Sequence, residues 1–276
     1  MEITEIIKES FVFPSKDLGK VVIYIILAII AALVGAAGLV LFMVGLSGEP
    51  VFTLLGLIVF ILGLVVAFIV SGYYISIVKS GIEHAEKPPA FSWKENLVTG
   101  IKYVVVSIVY FIVPAIVVLV VGLLTGLYNK SAFVFNEMYN AYLTAPANTT
   151  VVVEKVVPQA TLVDLGNAMI ITGVIAAILF IIFAFLQFIA ESRLANTDSL
   201  GEALNIPEAF RDIGRIGWGK VIAVILLVFI IIAVINGIIS LIANYVSVIG
   251  LVSIIVTPYL VFFSARALGL LYSDIA

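Results

Sequence analysis

Six apolar segments, over residues 21–46, 51–78, 103–127, 166–190, 221–243 and 246–268, dominate the chain. Each approaches or exceeds the ~20 residues that a helix needs to cross the ~30 Å hydrocarbon core of a bilayer. No water satisfies the backbone there, so each segment must close its own hydrogen bonds as an α-helix. The basic residues are divided unevenly between the two sides. Lys8, Lys16, Lys20, Lys79, Lys87, Lys94, Lys102, Arg193, Arg211, Arg215, Lys220 and Arg266 lie at the ends that an N-in topology places in the cytoplasm. Only Lys130 and Lys155 lie on the other side. By the positive-inside rule, both termini are cytoplasmic. The expected fold is all-α: a six-transmembrane-helix bundle in the cell membrane, forming one polytopic domain over 1–276.

Composition removes whole chemistries. Hydrophobic residues make up 63% of the chain and charged residues 11%, against about a quarter charged in a soluble domain. Mean hydropathy is +1.29. A net charge of −3, with the basic groups spread over several segments, does not suit a nucleic-acid partner. There is no cysteine, which excludes disulfides, iron–sulfur clusters and thiolate zinc. His84 is the one histidine, so no polyhistidine metal or haem site can be built. No cofactor is expected.

The segments between spans differ in character. Residues 1–20 carry Glu2, Glu5, Glu9 and Asp17 beside three lysines, unlike a cleaved signal peptide. Ile3, Ile6, Ile7 and Phe11 recur at helical spacing, so this leader reads as an interfacial helix, or else as a partly disordered N-terminus ending at Pro14. Residues 128–165 form the one sizeable outer loop. It holds two sequons, at Asn129 and Asn148, both candidate glycosylation sites on the face that charge independently calls external. Its aromatics Phe133, Phe135, Tyr139 and Tyr142 suit an interfacial belt or a small lid, and 150–157 reads as an extended, β-prone stretch.

The cytoplasmic connections repeat a pattern. An aromatic residue followed by Gly and Lys enters each odd span: Phe11…Gly19-Lys20, Phe91…Gly100-Ile101-Lys102 and Phe210…Gly219-Lys220. Three hairpins in one orientation suggest a threefold repeat about the membrane normal. In the last lead, Pro207 stands at a first helical position. Phe210, Ile213 and Trp218 are placed to face lipid, with Arg211, Asp212 and Arg215 facing water. Such a helix braces the bundle or docks a soluble partner, with Arg211, Arg215 and Trp218 as its contact residues. Small residues at Ala31…Gly35, Gly56…Gly63 and Gly122…Gly126 allow close helix approach, within the chain or in a homo-oligomer.

The run Gly72-Tyr73-Tyr74…Pro88-Pro89-Ala90-Phe91-Ser92-Trp93…Gly100-Ile101-Lys102-Tyr103, with Arg215-Ile216-Gly217-Trp218-Gly219-Lys220 later, resembles the archaeal and bacterial membrane family called domain of unknown function 4013. The resemblance implies a multi-span helical fold and distant kinship to membrane domains attached to glycerophosphodiester phosphodiesterases. It carries over no catalytic residue.

The residues themselves argue against catalysis. Gly45-Leu46-Ser47-Gly48 matches the G-x-S-G of rhomboid-type intramembrane serine proteases, but that serine needs a histidine base, and His84 lies across the bilayer. Gly-Ser-Gly at a hairpin mouth is a turn. No Asp or Glu falls within the six segments, which also disfavours a proton-coupled carrier. The polar groups that remain are few, with Gln187, Asn236 and Thr257 singled out and expected as interhelical hydrogen-bond partners. Pro114 and Pro258 each free a backbone carbonyl near midspan. A candidate cavity is therefore sought between Pro114, Asn236, Thr257 and Pro258. Two functions remain: a non-enzymatic scaffold, partner-binding or lipid-handling protein in contact with membrane lipids, or the membrane subunit of a permease. A polar cavity favours the second and a dry interior the first.

Overall fold

The computed structural model describes residues 1–146, 149–246 and 251–276. The described residues form helices and no strand. In chain order they are α1 (Ile3–Val12), a 3-10 turn (Phe13–Asp17), α2 (Leu18–Leu46), α3 (Pro50–Ile82), α4 (Trp93–Leu124), α5 (Leu127–Thr144), α6 (Val153–Val156), α7 (Gln159–Thr197), α8 (Leu200–Ala203), α9 (Ile206–Ile216), α10 (Trp218–Ala243) and α11 (Ser253–Tyr272). Six stretches of helix are long and apolar enough to cross a membrane, which makes this a multi-pass membrane protein. The helices overrun the apolar segments. At 1.5 Å per residue, α7 with its 39 residues is roughly 58 Å long, almost twice the hydrocarbon core.

The chain divides into two compact units, Met1–Ile108 with Phe185–Ala276, and Val109–Ala184. In the first, α11 is the core helix. Of its most apolar window 61% is buried, against 11–17% in the other five candidate spans. It packs on α3, α1, α10 and α2. Glycines set the approach of these helices. A Cβ on Gly269 would stand 2.1 Å from the Val78 carbonyl oxygen, and one on Gly63 would stand 2.6 Å from the Gly35 nitrogen. The Gly35 and Gly63 pairing is the close contact expected from their spacing.

The leader is no isolated helix. Ile6 and Phe13 have no exposed surface, α1 packs on α11 and α10, and Phe11 sets its ring edge on Tyr259 and Phe263 at 5.9 and 5.8 Å. Of the apolar stripe of α1, Ile6 is buried against protein, Ile3 and Ile7 are half-buried, and Phe11 keeps 42% of its surface exposed. The second lead is no separate helix either. Trp93 begins α4, and Phe91 stacks on Tyr73 at 3.7 Å while the Tyr73 hydroxyl donates to the Pro89 carbonyl at 2.9 Å. The third lead is the helix α9, with Asn205 as its N-cap and Pro207 in the first turn. Its sidedness departs from expectation: Ile213 and Asp212 are both 1% exposed and point into the protein.

The second unit holds the end of α4, α5, α6 and the start of α7. Gly126, at φ 68°, turns α4 into α5, a conformation that side-chain-bearing residues rarely take. The Thr125 and Thr172 hydroxyls are 3.1 Å apart, and Phe111 stacks with Phe180 at 6.0 Å. Residues 153–156 form one helical turn, not the expected extended stretch. Valine-rich sequence becomes strand only where it pairs and packs, and no strand among the described residues offers a partner. The aromatics of α5 are exposed, with Phe135 and Tyr139 stacked at 6.2 Å. Asn129 is exposed in the first turn of that helix. Asn148 lies outside the described residues.

Replacing Gly269 by Val drives side-chain atoms into α3 and is expected to cost about 3 kcal/mol of stability. Gly173→Ala, where nothing lies within 4 Å of a new Cβ, is expected to be neutral or slightly stabilising. Unfolding of both variants in mixed micelles measures the difference.

Candidate functional site

Three ionised side chains packed inside the first unit are held by partners of opposite charge. Helix α7 continues without a break past residue 190, so its last turns carry charge into the protein. Arg193, with 8% of its side chain exposed, donates from Nη1 to Asp212 Oδ2 at 2.5 Å and from Nη2 to Glu202 Oε2 at 2.5 Å. Its Nε donates to the Glu202 carbonyl at 3.0 Å. Asp212 also accepts from the Tyr272 hydroxyl at 2.9 Å and from Arg215 Nη1 at 2.9 Å. One carboxylate thus joins α7, α9 and α11. Arg266, 1% exposed, sits over the Phe13 ring at 4.3 Å, donates to the Ser80 carbonyl at 2.5 Å and pairs with Glu9. It ties α11 to α1 and α3.

Glu191 is different. It is 2% exposed, and its carboxylate accepts from the Tyr74 hydroxyl at 2.8 Å and from Gln187 Nε2 at 3.0 Å. The same Gln187 nitrogen also donates to Ser107 Oγ at 3.0 Å. Gln187 therefore is an interhelical partner, linking α7 to α4, and the Tyr74 ring packs near Tyr103 at 5.7 Å.

Beside this cluster lies an apolar cleft of about 140 Å³, walled by Tyr74 of α3, Phe188 of α7, Val228 and Phe229 of α10, and Ser264 and Leu271 of α11. Lys220 precedes the lining residue Val224 by one turn, and Asp274 follows Leu271 by three residues. Lys220 of α10 and Asp274, just past the end of α11, form an ion pair. Partial burial alone would raise the Asp274 carboxyl, but the hydrogen bond from Lys220 and the terminal ammonium of Met1 outweigh it and hold the group below the usual carboxylate range.

The structure assembles only part of the expected cavity. Thr257 and Pro258 line a shallow groove with Ile25, Ala28, Ile29 and Ala32 of α2. Asn236 is on the exposed surface of α10, away from that groove, and Pro114 is buried in the second unit. The proposed docking residues are exposed. Arg211 and Arg215 have 66% and 59% of their side chains accessible and pair with Glu208, and Trp218 meets Phe210 edge to face at 4.9 Å. Sequence reasoning missed Tyr74, Glu191, Arg193, Asp212 and Arg266 as interior groups. One signal was available, because no Gly or Pro separates the fourth apolar segment from Glu191 and Arg193. A helix that continues carries those charges wherever its neighbours lie.

Asp212→Ala leaves the Arg193 guanidinium short of its buried counter-charge, and a loss of about 3–5 kcal/mol is expected. The double change Arg193→Met with Asp212→Leu is expected to recover much of it, since it removes both charges together. Asp274 supplies a pH dependence. Its folded-state value is lowered, so its contribution to stability is complete above about pH 4, the ordinary Asp value, and fades as the pH falls through the lower folded value. Unfolding midpoints of wild type and Asp274→Asn are expected to differ at neutral pH and to converge in acid.

No curated protein and no solved structure matches this chain. A family model does match, over residues 55–244, which takes in α3 from its first turns, all of α4 to α9 and α10. Its description is "Protein of unknown function (DUF4013)". With more than half of its length matched, the chain belongs to the DUF4013 family.

Proposed function

We propose that this protein is a non-enzymatic lipid-handling protein of the cell membrane, with both termini in the cytoplasm, and that the cleft between α10 and α11 takes an acyl chain from the inner leaflet. The observation that carries this reading is the apolar cleft itself, with the Lys220–Asp274 ion pair within a few residues of its lining in the sequence. Its volume is about 140 Å³, close to the ~150 Å³ of dry engineered cavities that hold benzene. A short stretch of hydrocarbon fits such a space. On this reading the polar part of the lipid meets the Lys220–Asp274 ion pair. The apolar lining favours a lipid over a hydrophilic solute. Ser47 ends α2 in a turn at Gly48 (φ 133°), and His84 is an exposed turn residue after α3.

A second reading rests on α9. Its exposed Arg211, Arg215 and Trp218 offer a face for a soluble partner, as in the membrane subunit of a permease.

Photocrosslinking in vesicles with a phospholipid carrying a diazirine in its acyl chain tests the first reading. Adducts are expected on residues 224–232 and 264–271, and Val228→Trp, which fills the cleft, is expected to remove them. Labelling of exposed Leu33 and Ile26 on α2 is expected to stay unchanged. Uniform labelling of all exposed apolar surfaces, indifferent to Val228→Trp, would sink the proposal. Native mass spectrometry of gently extracted protein separates the two readings. A stoichiometric soluble partner lost on Arg211→Glu and Arg215→Glu favours the permease, whereas a lone chain or homo-oligomer carrying lipid favours the first reading.

A further inference from the structure

Helix α5 is divided lengthwise into three sides. No residue of it is fully buried. Leu127, Lys130, Val134, Glu137, Met138 and Ala141 are half-buried and share one side. From that side Lys130 Nζ donates to the Thr125 carbonyl at 2.9 Å and the Asp164 carbonyl at 3.5 Å. The rest of the circumference is exposed and divides again. Tyr128, Phe135, Tyr139 and Tyr142 recur at the i, i+7, i+11, i+14 spacing, which makes them one stripe along a helix roughly 27 Å long. Their exposure runs from 43% at Tyr128 to 72% at Tyr142. Asn129, Asn136 and Asn140 each follow a member of that stripe by one residue, and so form a second stripe about 100° round the helix. Phe133 alone of the aromatics lies on the asparagine side. Both charged residues of α5, Lys130 and Glu137, belong to the half-buried side, so its exposed surface carries no charge.

The start of the helix says what the aromatic stripe meets. Only Thr125 and Gly126 separate α5 from Leu124, the last residue of the span α4. Leu123 and Leu124 are 60% and 82% exposed, so α4 keeps a lipid-facing surface to its end. Tyr128, the first member of the stripe, rests on that end, since a Cβ on Gly122 would stand 2.7 Å from its ring. The stripe therefore begins on the surface of a membrane span. Tyrosine, with an apolar ring and a polar tip, suits the boundary between lipid and water. A helix with an aromatic side and a polar side lies in the plane of that boundary.

We propose that α5 lies on the membrane at the face where α4 ends, with Tyr128, Phe135, Tyr139 and Tyr142 seated among the lipids and Asn129, Asn136 and Asn140 turned to water. The contact rests on apolar burial and takes zwitterionic lipid as well as anionic. It does not depend on the cleft between α10 and α11, which belongs to the other compact unit.

The experiment uses the full chain, which has no cysteine, so single cysteines can be introduced and labelled with a nitroxide. In phosphatidylcholine vesicles, collision of the label with oxygen, which concentrates in lipid, is compared with collision with a water-soluble nickel chelate. Tyr139→Cys places the label in the stripe. Ala132→Cys, exposed one turn after Tyr128, leaves all four aromatics intact and guards against a fold lost with Tyr139. Asn140→Cys reports the asparagine side. Ile116→Cys, exposed on α4, gives the lipid reference, and Glu83→Cys, just past α3, the water reference. The oxygen-to-nickel ratio at 132 and 139 is expected to approach that at 116 and to exceed the ratio at 140 several-fold. The same contrast is expected after phosphatidylglycerol is mixed in. High nickel access at all three α5 positions overturns the proposal, because the helix then stands in water. Low access to both reagents at 132 and 139 overturns it too, because protein then covers the stripe. Dipolar broadening between labels identifies that cover as a second copy of the chain. A contrast seen only with phosphatidylglycerol overturns the uncharged mode of contact.

Discussion

The buried guanidinium of Arg266 organises the larger unit. It stands on α11, the helix that α1, α3, α10 and α2 surround, at a depth where an unpaired charge would be prohibitive. Its donors go to the Ser80 carbonyl near the end of α3 and to Glu9 on α1, and its face rests on Phe13. Each contact draws a different segment onto α11. The N-terminal helix is therefore part of the folded core, and its burial follows from supplying a carboxylate and an aromatic ring to one cation. Asp212 does the same from the other side, joining α7 and α9 to Tyr272 in the last turn of α11.

The contrast between α11 and the other spans explains how this arrangement coexists with a hydrocarbon environment. The other candidate spans keep most of their apolar surface outward, while α11 is largely enclosed. Apolar helices gain little from exchanging lipid for one another, so their association depends on close fit and on polar contacts. Glycine pairs such as Gly35 with Gly63 supply the fit. Arginine, aspartate and tyrosine supply the polar contacts, gathered near the ends of the helices, where the long basic side chains can also reach water.

Membership of DUF4013 brings no activity with it, so function has to be argued from the site. Two arrangements in the larger unit bear on it, and they differ in chemistry. The cleft between α10 and α11 is apolar in its lining. The Glu191 cluster is polar and buried, with the neutral donors Tyr74 and Gln187 on its carboxyl group. Tyr74 belongs to both, with its ring in the cleft wall and its hydroxyl on the carboxylate.

The six spans were legible in the sequence because hydrocarbon leaves a backbone one local solution. Length and apolarity alone then define a helix, and the Gly35 and Gly63 contact was legible for a related reason, since spacing places both residues where helices can meet. The fate of individual charges was not legible. Arg193, Asp212 and Glu191 read as solvated groups beyond an apolar run, and Ile6 as a residue facing lipid, because a sequence shows which face of a helix a residue occupies and not what that face meets. The valines of 150–157 failed for the same reason, since strand formation depends on a partner elsewhere. Local backbone chemistry determined the helices; which helices converge on Arg266, Asp212 and Glu191 was decided only in three dimensions, where a buried charge accepts no arrangement that leaves it without partners.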